Sequence, residues 1–201
     1  MEKLNKDFLE FIGLLESEGV DYLIVGGYAV AIHGFPRYTG GIDFFVASGE
    51  GNAKKLLTVF DKFGFGDSGL TRDDFLEESF VVEIGREPRK IQVLTGIDGV
   101  KFADCHDRRI EVEADGLRMK FIGKDDLIRN KAASGRPKDR IDVEELGKLP
   151  CRNLTPGRSS HHRNRSTQKR KDFLPQLPSL SPCARARFSP CSSPARFRHR
   201  R

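Results

Sequence analysis

GGYAVAIHGFPRYTGGIDFFV, running from Gly26 to Val46, is the stretch on which the reading of this chain turns. It continues an apolar run, DYLIVGG (21–27), which reads as a buried strand entering a glycine turn. Gly26 and Gly27 let backbone N–H groups approach a phosphate closely, and a helix N-terminus behind them adds partial positive charge. A plain tight turn would use the same two glycines. YAVAIHG (28–34) reads as a short helix stopped by Gly34, with Pro36 close behind. IDFFVA (42–47) reads as a second strand. Side chains two apart on a strand share a face, so acids at 41 and 43 would hold divalent ions against a nucleoside triphosphate. Asp43 fills the second place, whereas the first is Gly41. Asp43 sits among Ile42, Phe44, Phe45 and Val46, where a carboxylate is costly unless it is paired, binds a cation or caps a turn.

Outward from this stretch, helix and strand periods alternate. Leu4, Phe8, Phe11, Ile12 and Leu15 recur at helical spacing over 3–18, and Gly19 ends that helix. Residues 51–65 form an amphipathic helix through Ala53, Leu56, Leu57 and Phe60, followed by a loop over 64–74. SFVVEIG (79–85) and KIQVLTG (90–96) read as strands, with REP between them. IEVEADGLRMKFIG (110–123) reads as two short strands about an Asp115-Gly116 turn. Two helices close the pattern at 124–134 and 137–149, with Gly135 at the break and Pro137 in a first turn. The expected class is α/β or α+β, a mixed sheet with helices packed on it.

Composition divides the chain at residue 150. Residues 1–150 hold 22 Lys and Arg against 28 Asp and Glu; residues 151–201 hold 13 against one, Asp172. Residues 150–201 also have seven of the ten prolines, and this part buries too little apolar surface to offset its ordering entropy. The division is therefore a domain over 1–149 and a disordered Arg/Ser/Pro-rich tail over 150–201. A shifted reading frame or a fused extension would have this composition. RSSHHRNRSTQKRK (158–171) and the arginines near Phe188 and Phe197 suit nonspecific contact with nucleic-acid phosphates, or act only as a solvated polycation. The four cysteines show no CxxC spacing, which argues against a zinc site or a disulfide framework. No apolar run reaches the roughly 18–20 residues that a membrane helix requires, and the N-terminus lacks a signal-peptide core. A cytoplasmic protein is expected.

The stretch 26–46 resembles the polymerase-β-type nucleotidyltransferase superfamily. It is most similar to small bacterial proteins near the minimal and abortive-infection toxin nucleotidyltransferases. The shared pattern is GG, a short helix ending in Gly, Pro-Arg and Thr, then Asp-x-Asp. The likeness continues through NAKKLLTVFDKFGF, REPRKIQVLTGIDGVKF and DDLIRNKAASGRPKDRIDVEEL, covering roughly 5–148. It implies transfer of a nucleoside monophosphate from a nucleoside triphosphate to a hydroxyl on a protein, an RNA end or a small molecule. It implies Gly26 and Gly27 against the nucleotide phosphates and Asp43 as the second metal-binding, catalytic aspartate with Mg2+. Lys131 falls at the basic residue of the last helical motif, where it could meet a phosphate or lie on a solvated helix face. Arg37 and Thr39 match the turn of the pattern, and Arg136, Asp139 and Asp142 belong to its GRPKDxxDxxxL segment. The pattern's first acid falls on Gly41 and its third on Gln92, which is neutral and neither a good hard-cation ligand nor a base. Asp98, on a Gly-Asp-Gly turn, is no convincing replacement, and Asp21 lies at the far end of its strand. The resemblance with these two departures implies an impaired transferase with magnesium weak or absent. The alternatives are a non-catalytic nucleotide- or partner-binding module of toxin–antitoxin type, or nucleic-acid binding through the tail.

Overall fold

The computed structural model describes residues 4–149 and the backbone of a strand at Arg196–His199. Helix α1 (Lys6–Ser17) starts where the Asn5 side chain accepts from the Asp7 N–H at 3.0 Å, an N-cap that satisfies one orphan donor. It buries Phe8, Phe11, Ile12 and Leu15, one face of a 3.6-residue repeat. Gly19, at φ 63°, turns the chain into strand β1 (Tyr22–Val25). All four β1 residues are buried, as a strand with both sheet faces covered demands. Helix α2 (Gly26–Ile32) begins at the glycine pair itself, two residues earlier than its apolar pattern suggests. Strand β2 (Gly41–Val46) then returns antiparallel to β1, pairing Val25 with Asp43 and Tyr22 with Val46.

Helix α3 (Glu50–Phe60) is shorter than its sequence pattern. The chain continues through a wider turn at Asp61–Phe65, and Gly64 at φ 90° breaks the helical path. Strands β3 (Phe80–Ile84) and β4 (Lys90–Leu94) are antiparallel to one another, and β4 runs parallel to β2. Helix α4 (Phe102–Asp107), absent from the elements expected above, is a six-residue turn whose Phe102 ring packs on Phe45 at 5.2 Å. Strands β5 (Ile110–Ala114) and β6 (Leu117–Phe121) form the hairpin expected of Asp115-Gly116. Both turn residues have positive φ, 51° and 78°, as a primed two-residue turn requires. Helices α5 (Lys124–Ser134) and α6 (Pro137–Lys148) meet at Gly135, in the left-handed region, and Pro137 opens α6.

The sheet is mixed, in the order β5-β6-β1-β2-β4-β3-β7, where β7 is Arg196–His199. β7 lies antiparallel to β3 and opposes Glu83 with Arg196. It is the part of the basic tail that falls among the described residues; the remaining expectations for 150–201 lie outside them. The core is aromatic-rich: Phe11 meets Phe44, Phe60 and Phe63 at 5.3, 5.9 and 5.0 Å. At the far end of the described domain, the Lys124 ammonium donates to the Leu149 carbonyl, and the Leu149 side chain abuts Gly34. Among the described residues no helix is long and apolar enough to cross a membrane.

Candidate functional site

Parallel pairing of β2 with β4, and antiparallel pairing of β4 with β3, sets Asp43 beside Gln92 and Gln92 beside Glu83. In-register neighbours share a sheet face, so three polar side chains form one row across three strands. Strands β3 and β4 alternate buried and half-buried positions, β2 is buried everywhere but at Asp43, and all three residues of the row are half-buried. Gln92 Nε2 donates to Glu83 Oε1 at 2.6 Å. Lys90 Nζ lies 3.7 Å from the same carboxylate oxygen. The Gln92 amide thus faces an acid on β3 with its donor end. Glu83 was not singled out from sequence; its signal was the alternation of FVVEI, which is decisive only once the register is known.

Asp43 has no hydrogen-bond donor and no ion-pair partner among the described residues. Burial pushes its carboxyl up to about 6, against the opposing pull of Lys90, Lys131, Lys138 and Arg136. Its carboxylate lies directly over Gly26: a Cβ at that glycine, which has φ 65°, would collide with Asp43 Oδ2. At Gly27 a Cβ would stand 2.6 Å from Thr39 Cβ and Oγ1. The Thr39 hydroxyl in turn donates to the Gly41 carbonyl at 3.0 Å. The glycine pair therefore has a local packing role, since Asp43 and Thr39 occupy the space that side chains would take.

Gly41 is opposite Lys90 in the β2–β4 ladder. A Cβ there would collide with the Lys90 carbonyl oxygen and stand 2.8 Å from its carbon. The two strands approach so closely at this point that a side chain enters only if the start of β4 moves. Among the described residues, no three His, Cys, Asp or Glu side chains gather as a metal site.

Behind this row, α5 and α6 present a buried ionic cluster. Arg37 Nε and Nη2 donate to Asp142 Oδ1 and Oδ2 at 2.6 and 2.7 Å, a two-pronged pair. Lys131 Nζ lies 2.6 Å from Asp139 Oδ1 and 3.2 Å from Asp142 Oδ2. Ser134 Oγ and Arg136 Nε each donate to Asp139 Oδ2 at 2.6 Å. Against the burial that would raise it, hydrogen bonds from Lys131, Ser134 and Arg136 hold the Asp139 carboxyl at about 2. Lys131, Asp139 and Asp142 are almost wholly buried. The Lys131 ammonium is thus engaged by two carboxylates, and it acts on Asp43 through space. Arg37 and Asp142 are 105 residues apart, and no local sequence pattern joins them. Asp98 lies outside the row, its carbonyl accepting from Asn130 at 2.9 Å. Asp21 precedes β1 at the opposite end, with its N–H donating to Asn52 at 2.8 Å.

A mixed sheet with a glycine turn and short helix between its two central antiparallel strands, and an acid on the second, defines a protein of the nucleotidyltransferase fold. The chain belongs to the family described as "Nucleotidyltransferase of unknown function (DUF6036)", whose model matches residues 3–149. No protein of curated function matches it. Among solved structures it is similar to a lincosamide antibiotic adenylyltransferase bound to lincomycin, at 11% identity and TM-score 0.45, covering 75% of this chain and 100% of that one. It is also similar to a putative nucleotidyltransferase from Thermotoga maritima, at 14% identity and TM-score 0.47, with 72% and 94% covered. An antigenic nucleotidyltransferase-like protein from Paracoccidioides brasiliensis matches at 18% identity and TM-score 0.41, with 70% and 72% covered.

Proposed function

We propose that the domain over 1–149 binds a nucleoside triphosphate at the face formed by Gly26, Gly27 and Asp43, and that its nucleotidyl transfer is impaired. The observation carrying this reading is the isolation of Asp43. Its strand neighbour Gly41 is closed in by the β4 backbone, and its cross-strand neighbour Gln92 turns an amide toward Glu83. In-line transfer to a hydroxyl needs the developing charge neutralised and the attacking proton removed. A two-ion magnesium centre does not fit one carboxylate, a glycine and an amide. Asp43 offers at most one weak foothold for Mg2+, which commonly takes one or two carboxylates along with phosphate oxygens. Lys131 supports the site from within the α5–α6 cluster, adding positive field toward a bound phosphate.

The same observation favours a second reading, a non-catalytic module that holds a nucleotide or a protein partner, as in a toxin–antitoxin pair. The two readings separate in one assay. The full chain is incubated with labelled nucleoside triphosphates, magnesium and cell lysate, beside a Gly41→Asp/Gln92→Asp variant. Nucleotide binding by the unaltered chain without label transfer is the expected result. Robust transfer by the unaltered chain would overturn the impaired reading, label transfer by the variant alone would favour it over the non-catalytic module, and absence of nucleotide binding would leave only a module for a protein partner.

A further inference from the structure

We propose that the outer edge of β3 is a strand-addition site for a short segment alternating cation and aromatic, and that Arg196–His199 of the basic tail occupies it in cis. The proposal does not depend on the nucleotide-binding reading. A sheet edge presents unpaired N–H and C=O groups that pair with any extended chain able to reach them, so native edges are charged, shortened or covered. The two sides of this sheet are treated differently. On one side, β5 exposes Glu111 and Glu113. Glu111 pairs with Arg109 and Arg118 at 3.0 and 3.9 Å, and Glu113 with Arg118 at 3.8 Å. On the other side, β3 reads FVVEI, without proline, glycine or lysine. Its one charge, Glu83, is drawn toward β4, where it accepts from Gln92. Charge therefore guards the β5 edge, and it is the apolar β3 edge that β7 covers.

Register and sequence agree on the fit. Directly opposed residues of an antiparallel pair share a sheet face. The pairing sets Phe197 at Val82 and His199 at Phe80, both buried positions of β3. It sets Arg196 at Glu83 and Arg198 at Val81, both half-buried positions. The alternation of RFRH thus runs in phase with that of FVVEI. Its aromatic positions fall on the core face, and Arg196 falls at the end of the Asp43–Gln92–Glu83 row. A slip of one residue would move both arginines to the core face, so the pattern selects one register. In strand addition the main chain supplies affinity and the alternating side chains supply specificity. The intervening chain is long enough: 46 residues separate Leu149 from Arg196 and can span up to roughly 150 Å when extended. Tethering favours the chain's own segment over one free in solution.

Amide hydrogen exchange of the full chain, read by mass spectrometry on fragments covering β3 and β1, tests the proposal. Arg196→Glu sets an acid opposite Glu83, and Phe197→Pro removes a ladder donor together with the aromatic. The β3 amides are expected to exchange about 2- to 10-fold faster in Arg196→Glu and faster still in Phe197→Pro. Exchange in β1, which lies inside the sheet between β6 and β2, is expected to stay unchanged in both, showing that the domain remains folded. A synthetic peptide with the sequence of residues 194–201 is expected to restore β3 protection to Phe197→Pro. A peptide of the same composition with the alternation broken is expected to leave β3 unprotected. Equal β3 exchange in all three proteins would overturn the proposal. Equal restoration by both peptides would overturn strand addition in favour of nonspecific charge attraction. Protection of the unaltered chain that appears only as protein concentration rises would overturn the cis occupant in favour of a second copy's tail.

Discussion

Asp43 carries a stability cost that depends on pH. Its carboxyl is raised to about 6 in the folded chain, from an ordinary value near 3.8. Below pH 4 it is protonated whether the chain is folded or not, and it costs nothing. Between pH 4 and 6 the folded state holds a proton that the unfolded state has released, so stability falls as pH rises through this window. Above pH 6 the full penalty stands. Asp43→Asn is therefore expected to stabilise the protein by about 1–3 kcal/mol at pH 7 and to make no difference below pH 4, as urea midpoints across pH would show. Gly41 behaves oppositely. Gly41→Asp forces a side chain against the Lys90 carbonyl and is expected to cost about 1–3 kcal/mol, measured in the same titration. An unchanged midpoint would mean that β4 yields freely there. The sequence exposed the lone acid at 43 and the missing one at 41. It could not show the pinch on Gly41, because that depends on which strand lies alongside and in what register.

At the scale of elements, a buried ionic cluster ties α5 to α6. The cluster of Lys131, Asp139, Asp142, Arg37 and Arg136 is buried on its acid side and reaches across to the segment before β2. Lys131→Met would strip a central cation from two buried carboxylates and is expected to destabilise by about 3–5 kcal/mol in chemical denaturation. Asp139, held at about 2, contributes stability that is present above pH 4 and is lost as pH falls toward 2. The acid limb of the stability profile should therefore flatten in Asp139→Asn, which is itself weaker at neutral pH. Helical spacing made both helices legible, together with their Gly135–Pro137 junction. It left Lys131 equally suited to a solvated face or a phosphate, because spacing along one helix says nothing of what faces it on the next.

Across the whole molecule, strands and helices were visible where apolar periodicity is strong, as in α1, β1 and the Asp115-Gly116 hairpin. Sheet order was not, since β2 meets β4 and β1 meets β6 only after long excursions of chain. Helix α4 escaped notice because six residues with one fully buried side chain, Cys105, make no repeat. The row Asp43–Gln92–Glu83 emerges only from that order, and so did the place of Glu83.

Leu149 has a bearing on how this domain can be handled. Its carbonyl is held by Lys124 and its side chain rests against Gly34, three residues before Arg37. Whatever is joined after Leu149 therefore leaves the domain at the head of the segment that carries Arg37. A purification tag, reporter or tether fused directly at Leu149 would start beside the turn between α2 and β2, so nucleotide binding measured with it should be compared with binding by an untagged chain.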